Sequence, residues 1–511
     1  MKLKQVKKWL LRIIFVLVII SIVGVIISNY ELKHMYGGYT EMVDTSQFNV
    51  VSKPTTITNV SILSSDGSYF IENQTVWLEK GKIVSIDTVP DFPENIATID
   101  GGGKYLIPGL IDSHVHLWQS PNDLLLYLAN GVTHIREMMG SPEHLKWRQE
   151  IEKGKRLGPK MFVASNKIQS FGLLEGWFMN WIQGNINLNK TENAISTLQL
   201  LSNDGYDAVK LGSLLNKENY MAVNFASDKV GIPLIGHLSL SVGLTELWNS
   251  NQKEVAHIEE IVKALRIEFG RVNSENSNEF LQFVQRRSSE VADNLVKHKI
   301  AVISTLLLTE SFSKQKFELD TLLKEIKLPY ANPGLIEGTL LTSRGLGWLP
   351  EVNLYRLPES LNAKEQLSRK VFWNTYTKAH QIILKAMIDK GVRVLAGTDS
   401  NIPIMVPGFA LHNELKSLTQ SGMSPSQALH SATTVPAKWM KIESGKILPN
   451  YRADLVLLNK NPLDNIENTK SIEMVILNGK VFNRSQLDAI LNAVIEANNR
   501  SRNKEISLFV D

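Results

Sequence analysis

Hydrophobic positions along the chain predict four regions: an apolar opening, a short β-rich stretch, a long middle in which strand-like and helix-like runs alternate, and a β-rich return. Residues 9–28 carry one charge, Arg12, over twenty positions. At about 1.5 Å per residue, such a helix crosses a hydrocarbon layer near 30 Å. A cleaved secretory signal is the competing reading, but the apolar run 13–27 lies at the upper edge of that length range and no A-x-A-like site follows it. An uncleaved signal anchor is therefore expected. A buried core helix fits less well, because the run has no polar face to present to water.

Residues 55–107 form short β-rich pieces separated by turns, TTITNVSIL, YFIENQTVWLEKGKIVSI and TIDGGGKYLI. The same texture returns in ADLVLLN and SIEMVILNGKVF. One small β-domain assembled from both flanks is expected. Between them, MFVAS, DAVKLG, IPLIGHLS, EVAHIE, IAVISTLLL and VRVLAGTDS read as strands separated by amphipathic stretches. Strand and helix alternating over so long a segment predict a parallel α/β fold, and the size favours a (β/α)8 TIM barrel. About seventy residues then intervene before KAHQIILKAMIDKG, carrying Pro329, Pro333, Pro350, Pro358, Tyr330, Trp348 and Tyr355. A lid or specificity insertion and a packing or subunit-contact excursion are equally open for that segment. No repeat or low-complexity tract interrupts the body.

Charge and composition narrow the partners. Lys plus Arg number 55 against 51 Asp plus Glu. Lys2, Lys4, Lys7, Lys8 and Arg12 precede or open the apolar run, with no acid among them, so the rest of the chain is close to neutral. Nucleic acid is not expected as a partner. The same five charges put the N-terminus in the cytoplasm and the body outside, periplasmic or extracellular. The chain has no cysteine. Disulfides, thiolate zinc sites, iron–sulfur clusters and cysteine nucleophiles are therefore excluded, and any metal must be held chiefly by His and carboxylate.

Histidine supplies the candidates. In PGLIDSHVHLW, His114 and His116 lie two apart on a strand-like run and leave its same face. His237 closes IPLIGHL, His257 closes KEVAHIE and Asp399 ends VRVLAGTD. Singly, each has an ordinary explanation: a solvated pair on a strand, a hydrogen-bonded core imidazole, a helix cap. Together, at strand ends that share one rim of a barrel, they make a nitrogen and oxygen site suited to zinc or a similar divalent ion. Lys210 in DAVKLGS would bury an ammonium unless it is paired with a carboxylate, faces outward, or is chemically altered. Reaction of its neutral amine with CO2 would give a carbamate, an anionic ligand able to bridge two ions.

These pieces in this order, PGLIDSHVH, GVTHIREMMG, DAVKL, IPLIGH, EVAH, AGTDS, HNELKSLTQSGMSPSQALHSATTVPAKWM and GKILPNYRADLVLLNKNP, resemble the amidohydrolase superfamily, in its imidazolonepropionase-like and metal-dependent dipeptidase-like branch. The resemblance spans roughly 55–483. It implies a distorted barrel with a β-sandwich from both termini and two divalent ions, zinc the expected metal. His114, His116 and Asp399 would bind the buried ion and His237 and His257 the exposed one, with carboxylated Lys210 between them. GHLSLSV and the long insertion depart from the family pattern and bear on the substrate. The implied activity is a metal-dependent hydrolase in which activated hydroxide opens a C–N amide bond of a small peptide, N-acyl amino acid or cyclic amide. Asp399 would act as general acid and base. Lactone, ester or phosphotriester cleavage on the same centre is the alternative, and a tethered binding protein without catalysis is a third.

The expected organisation is a basic tail and transmembrane anchor (1–32), an N-terminal contribution to the β-sandwich (55–107), the hydrolase barrel (108–442, with an insertion about 308–375), a C-terminal contribution to the same β-sandwich (443–483) and a C-terminal helical tail (484–511). A small-molecule substrate and the membrane are the expected partners, with self-association open. Glu259 and Glu260 beside His257, and Arg136 and Glu137, are candidates to support the ligands, with surface or packing roles as the default.

Overall fold

A computed structural model describes residues 3–88, 96–339, 347–358 and 360–510, except for the side chains of residues 3 and 4. The chain is an α/β protein. Its first element is a helix, Leu3–Met35, whose residues 9–27 are exposed throughout. It is long and apolar enough to cross a membrane.

Strands from both flanks share one sheet. β1 (Thr55–Leu63), β2 (Phe70–Glu79), β3 (Lys82–Asp87), β4 (Ala97–Asp100) and β5 (Tyr105–Pro108) come first, and β16 (Leu455–Leu458), β17 (Ile472–Leu477) and β18 (Lys480–Asn483) join them. The order is β18-β17-β16-β5-β1-β2-β3, with β4 paired to β1. Leu455 to Leu458 run antiparallel to Pro108 back to Tyr105, which ties the two ends of the chain together. One face carries Ile57, Val76, Leu78, Leu106, Leu455 and Ile476, all fully buried. Alternation with period two places these side chains on one side.

From β5 the chain passes through Gly109 into β6 (Leu110–Val115), then β7 (Val132–Gly140), β8 (Lys160–Ser165), the short β9 (Ile168–Gln169) and β10 (Ile186–Asn187), β11 (Val209–Leu211), β12 (Leu234–Gly236), β13 (Glu254–Val255), β14 (Ala301–Ile303) and β15 (Val394–Leu395). Every ladder here is parallel. The three ladders β6-β7-β8, β11-β12 and β13-β14-β15 are joined by single bridges, Ala164 to Ala208, Leu234 to Gln252 and Val115 to Ser400. Eight parallel segments thus neighbour one another in a cycle. All residues of β6 and of β7 are buried, as expected of strands covered on both faces. Met138, Ala164, Ala208, Ile235, Ala256, Ala301, Ile303 and Leu395, drawn from these strands and the residues beside them, form one buried cluster of mostly small or branched side chains.

IAVISTLLL departs from the expected strand. Only Ala301–Ile303 is a strand, and a helix begins at Leu306. Thr305 takes a left-handed conformation (φ +41°) and makes no side-chain cap. Instead, the backbone N–H groups of Leu306 and Leu307 donate to the Glu414 carboxylate at 3.0 and 2.7 Å, and the Ser304 hydroxyl donates to it as well. The Glu414 carboxyl oxygens accept where a cap would and stand in for it. Beyond this helix (Leu306–Phe317), the segment about 308–375 contains helices Leu319–Glu325 and Pro333–Glu337 and the opening turns of Ala363–Lys390. Its residues 340–346 and 359 lie outside the described residues. Leu308, Phe312, Leu323, Ile336 and Trp348 form an apolar cluster with Ile404, Met405 and Val406, just past Asp399.

Burial pushes the Glu414 carboxyl up to about 7, against its three donors. A carboxyl raised above its unfolded value contributes stability that is complete below about pH 4.5 and declines as pH climbs through 7. Wild type is therefore expected to lose on the order of 3 kcal/mol relative to Glu414→Gln between those limits. Thermal midpoints of both proteins across pH 4.5–8 measure the gap, and parallel curves would show that Glu414 does not titrate there.

Candidate active site

Each candidate ligand lies at or just past the C-terminal end of a strand in the cycle. His114 is in β6 with His116 immediately after it, Lys210 is central in β11, His237 follows β12, His257 follows β13, and Asp399 follows β15. Short strands with abrupt exits turn these side chains inward at one end. Asp399 and His257 take left-handed conformations, φ +55° and +83°, and Gly236 before His237 has φ +112°. Non-glycine residues seldom adopt such angles, and structures that impose them concentrate them at functional sites. A side chain on Gly236 would meet the Leu211 carbonyl at 2.6 Å, so only glycine permits this exit.

The six side chains meet. Asp399 Oδ1 lies 2.9 Å from His116 Nε2 and 3.3 Å from His114 Nε2, and Oδ2 lies 4.0 Å from His257 Nε2. Lys210 Nζ is 3.4 Å from His114 Nε2. The rings of His114 and His257 are 4.5 Å apart, and those of His257 and His237 are 5.2 Å apart. Ligand atoms of His114, His257 and Asp399 all fall within 4.8 Å of one another. Although Asp399 Oδ1 is so close to two imidazoles, it makes no hydrogen bond of acceptable geometry. Lone pairs converging on one point without bonding to each other suit a cation between them.

Electrostatics agree with this donor set. Burial pushes the imidazole of His257 down to about 3 and lowers those of His114 and His237, which favours the neutral form that binds metal. Burial opposes ionisation of Asp399, but the imidazoles of His114 and His257 outweigh it and hold the carboxyl well below its usual range. Lys210 is driven down to about 7, first by burial and then by the nearby Lys167 ammonium. Much of it is a free amine at neutral pH.

The sequence profile of the amidohydrolase family matches residues 338–482, a segment that includes Asp399 and the return into the flank sheet. Over that segment the chain matches the amidohydrolase family. It is an enzyme of that hydrolase class, and the family typically binds metal ions. A 5′-deoxyadenosine deaminase from Methanococcoides burtonii is 21% identical over 412 residues, 76% of this chain and 80% of the relative. Among solved structures, a bottromycin amidohydrolase superposes with TM-score 0.65 at 19% identity, over 87% of this chain and 90% of its own. A prolidase complexed with N-methylphosphonate-L-proline gives 0.61 at 16% identity, over 84% and 99%.

Two carboxylates in this amidohydrolase hold residues more closely than their default surface or packing reading anticipated. Glu260 accepts from His237 Nδ1 at 2.8 Å and from Lys263 Nζ at 2.9 Å. Burial opposes ionisation there, but these partners pull its carboxyl down to about 2. Glu137 is buried, accepts from the backbone N–H groups of Leu117 and Met139, and lies 3.9 Å from His116 Nδ1. His257 Nδ1 is 2.9 Å from the Thr305 hydroxyl, which the sequence did not single out. Hydrogen bonds on Nδ1 fix the His237 and His257 rings so that Nε2 faces the site. Glu259 is half-buried, and its carboxyl is raised by that burial. Arg136 is not a surface residue either: its guanidinium is wholly buried against Glu254, deeper in the cycle.

Proposed function

We propose that this amidohydrolase opens a C–N amide bond in a small peptide, N-acyl amino acid or cyclic amide at a centre of two divalent cations, zinc the first choice. The reading rests on the meeting of His114, His116, Lys210, His237, His257 and Asp399, with an unbonded Asp399 oxygen between two imidazoles. His114, His116 and Asp399 would hold one ion, and His237 and His257 the other. Lys210 would bridge as a carbamate, its amine nitrogen bonding to the carbon of CO2 with loss of one proton. Bound cations supply Lewis acidity toward the scissile carbonyl and acidify a water. Asp399 takes the proton of the attacking water and returns it to the leaving nitrogen. Glu260 and Thr305 keep the His237 and His257 rings in place throughout. Lys167, on the link between β8 and β9, is lowered by burial while the charge of Asp399 opposes that, and it is the lysine we assign to a substrate carboxylate.

On this reading the cycle of parallel strands is a (β/α)8 barrel, and the flank sheet is a second domain. The N-terminal helix is a membrane anchor, with the N-terminus cytoplasmic and the site outside. The test uses the full-length protein in detergent, supplied with zinc with or without bicarbonate, against dipeptides, N-acyl amino acids and lactones. About two equivalents of metal, amide cleavage that needs bicarbonate, and loss of metal and rate in Lys210→Ala are expected. Absence of bound metal, or cleavage of lactones alone, would overturn the reading.

A further inference from the structure

The N-terminal helix does not end in a linker. Residues 29–38, directly past the apolar run, are bonded to the rim that holds the site. Trp181 Nε1 donates to Asn29 Oδ1 at 2.8 Å, the Tyr36 hydroxyl donates to the Ile182 carbonyl at 2.9 Å, and His34 lies 3.4 Å from Glu337. Gln119 N–H donates to the Tyr36 carbonyl. The Tyr36 ring stacks on Trp118 at 4.7 Å, and Trp118 stacks on His116 at 5.3 Å. Tyr36 is eight residues beyond the apolar run, about 12 Å along a helix. The rim is therefore pinned within a few turns of wherever the apolar run leaves its apolar surroundings.

Beside that exit lies a second unusual helix, Leu173–Gln183, with sequence LLEGWFMNWIQ. Leu173 is 82% exposed, Leu174 86%, Trp177 67% and Phe178 47%. Its buried residue is Gly176, set against Asn187. Leu214 and Leu240, both half exposed, continue the apolar surface along the loops after β11 and β12, tied to the same segment by bonds of Ser170 to Leu214 and of Leu240 to Ser213. Tyr30 and Tyr39 pair at 4.9 Å where the N-terminal helix meets the body. Tyrosine and tryptophan are enriched where a bilayer meets water, and a short helix with bulky apolar residues outward is the kind that lies in that plane.

We propose that the helix Leu173–Gln183 is seated in the lipid interface beside the spanning helix, so that the mouth of the active site faces the bilayer and takes an amphiphilic amide whose apolar tail stays in the membrane. The lipid is the occupant because the apolar face adjoins the spanning helix with no linker to swing it away. The helix carries one charge, Glu175, so seating comes from apolar burial and does not need anionic lipid. The proposal rests on the anchor and amide-hydrolase reading above and goes beyond it in assigning orientation and substrate class.

The cysteine-free chain allows single spin labels in the full-length protein, reconstituted in phosphatidylcholine vesicles. Labels at Leu173→Cys and Trp177→Cys are expected to collide with oxygen more than with a water-soluble nickel chelate, as at Val18→Cys. Asp228→Cys, exposed on the helix Lys217–Val230, is expected to show the reverse. A lipid signal at 18 with a water signal at 177 overturns the proposal and leaves the anchor standing. Water at both positions overturns the anchor and the proposal together, and shielding of 177 from both reagents places a protein neighbour there and overturns it. In the second arm, Leu173→Ser/Leu174→Ser/Trp177→Ser is expected to lose at least about ten-fold in rate on a long-chain N-acyl amino acid carried in vesicles, while keeping its rate on a short-chain soluble one. Equal effects on both substrates overturn the substrate assignment.

Discussion

Asp399→Asn is expected, on the proposed amide-hydrolase reading, to lower kcat by about 10² to 10⁴. The side chain is nearly isosteric, so the loop after β15 keeps its shape and the effect isolates the carboxylate. Two functions are lost at once. An amide cannot accept the water proton, and it removes the anion that lies against His114, His116 and His257. Metal content measured beside kcat separates them: a variant that keeps its metal and still falls by this factor has lost proton transfer. A variant with full metal and near-normal kcat would remove Asp399 from the acid and base role. The left-handed backbone at Asp399 supports the choice of Asn, which tolerates φ near +55° better than most residues do.

The largest expected stability effect lies below the site. Arg136 in β7 and Glu254 in β13 form a two-pronged ion pair, Nη1 to Oε2 at 2.7 Å and Nη2 to Oε1 at 2.8 Å, with both side chains wholly buried. The guanidinium also lies over Trp439 at 4.2 Å and Phe162 at 5.0 Å. Arg136→Met leaves a buried carboxylate without its cation and should cost about 3–5 kcal/mol. Arg136→Met/Glu254→Leu should recover most of that loss, because an apolar pair of similar volume has no charge to desolvate. Denaturant melts of the two variants decide it. If the double variant is as unstable as the single, the cost lies in lost packing on Trp439 and Phe162 rather than in the orphaned charge.

The candidate ligands were legible because strand ends and histidines are local signals. PGLIDSHVH and VRVLAGTD can be read within ten residues, and the structure brings His114, His116, His237, His257, Lys210 and Asp399 together. Their supports were not legible. Glu260 was visible next to His257, yet it bonds His237, which lies just past the end of β12. Thr305 was hidden in a run that looked like continuous strand. It turns inward because a carboxylate far along the chain, Glu414, binds the helix start behind it. Arg136 and Glu254 are 118 residues apart and read as unrelated charges until β7 and β13 face each other across the interior.

By itself, the sequence determined the alternation of buried strands and helices, the apolar length of the N-terminal helix and the absence of thiol chemistry, and it named the residues proposed to hold a metal. Each follows from residue type and spacing along the chain. Tertiary structure alone decided which imidazoles share one carboxylate and which acids orient them. It also decided that the end of the apolar helix stacks through Tyr36 and Trp118 onto His116. Those are contacts between segments far apart in the chain, set by how the strand cycle closes, and local periodicity carries no information about them.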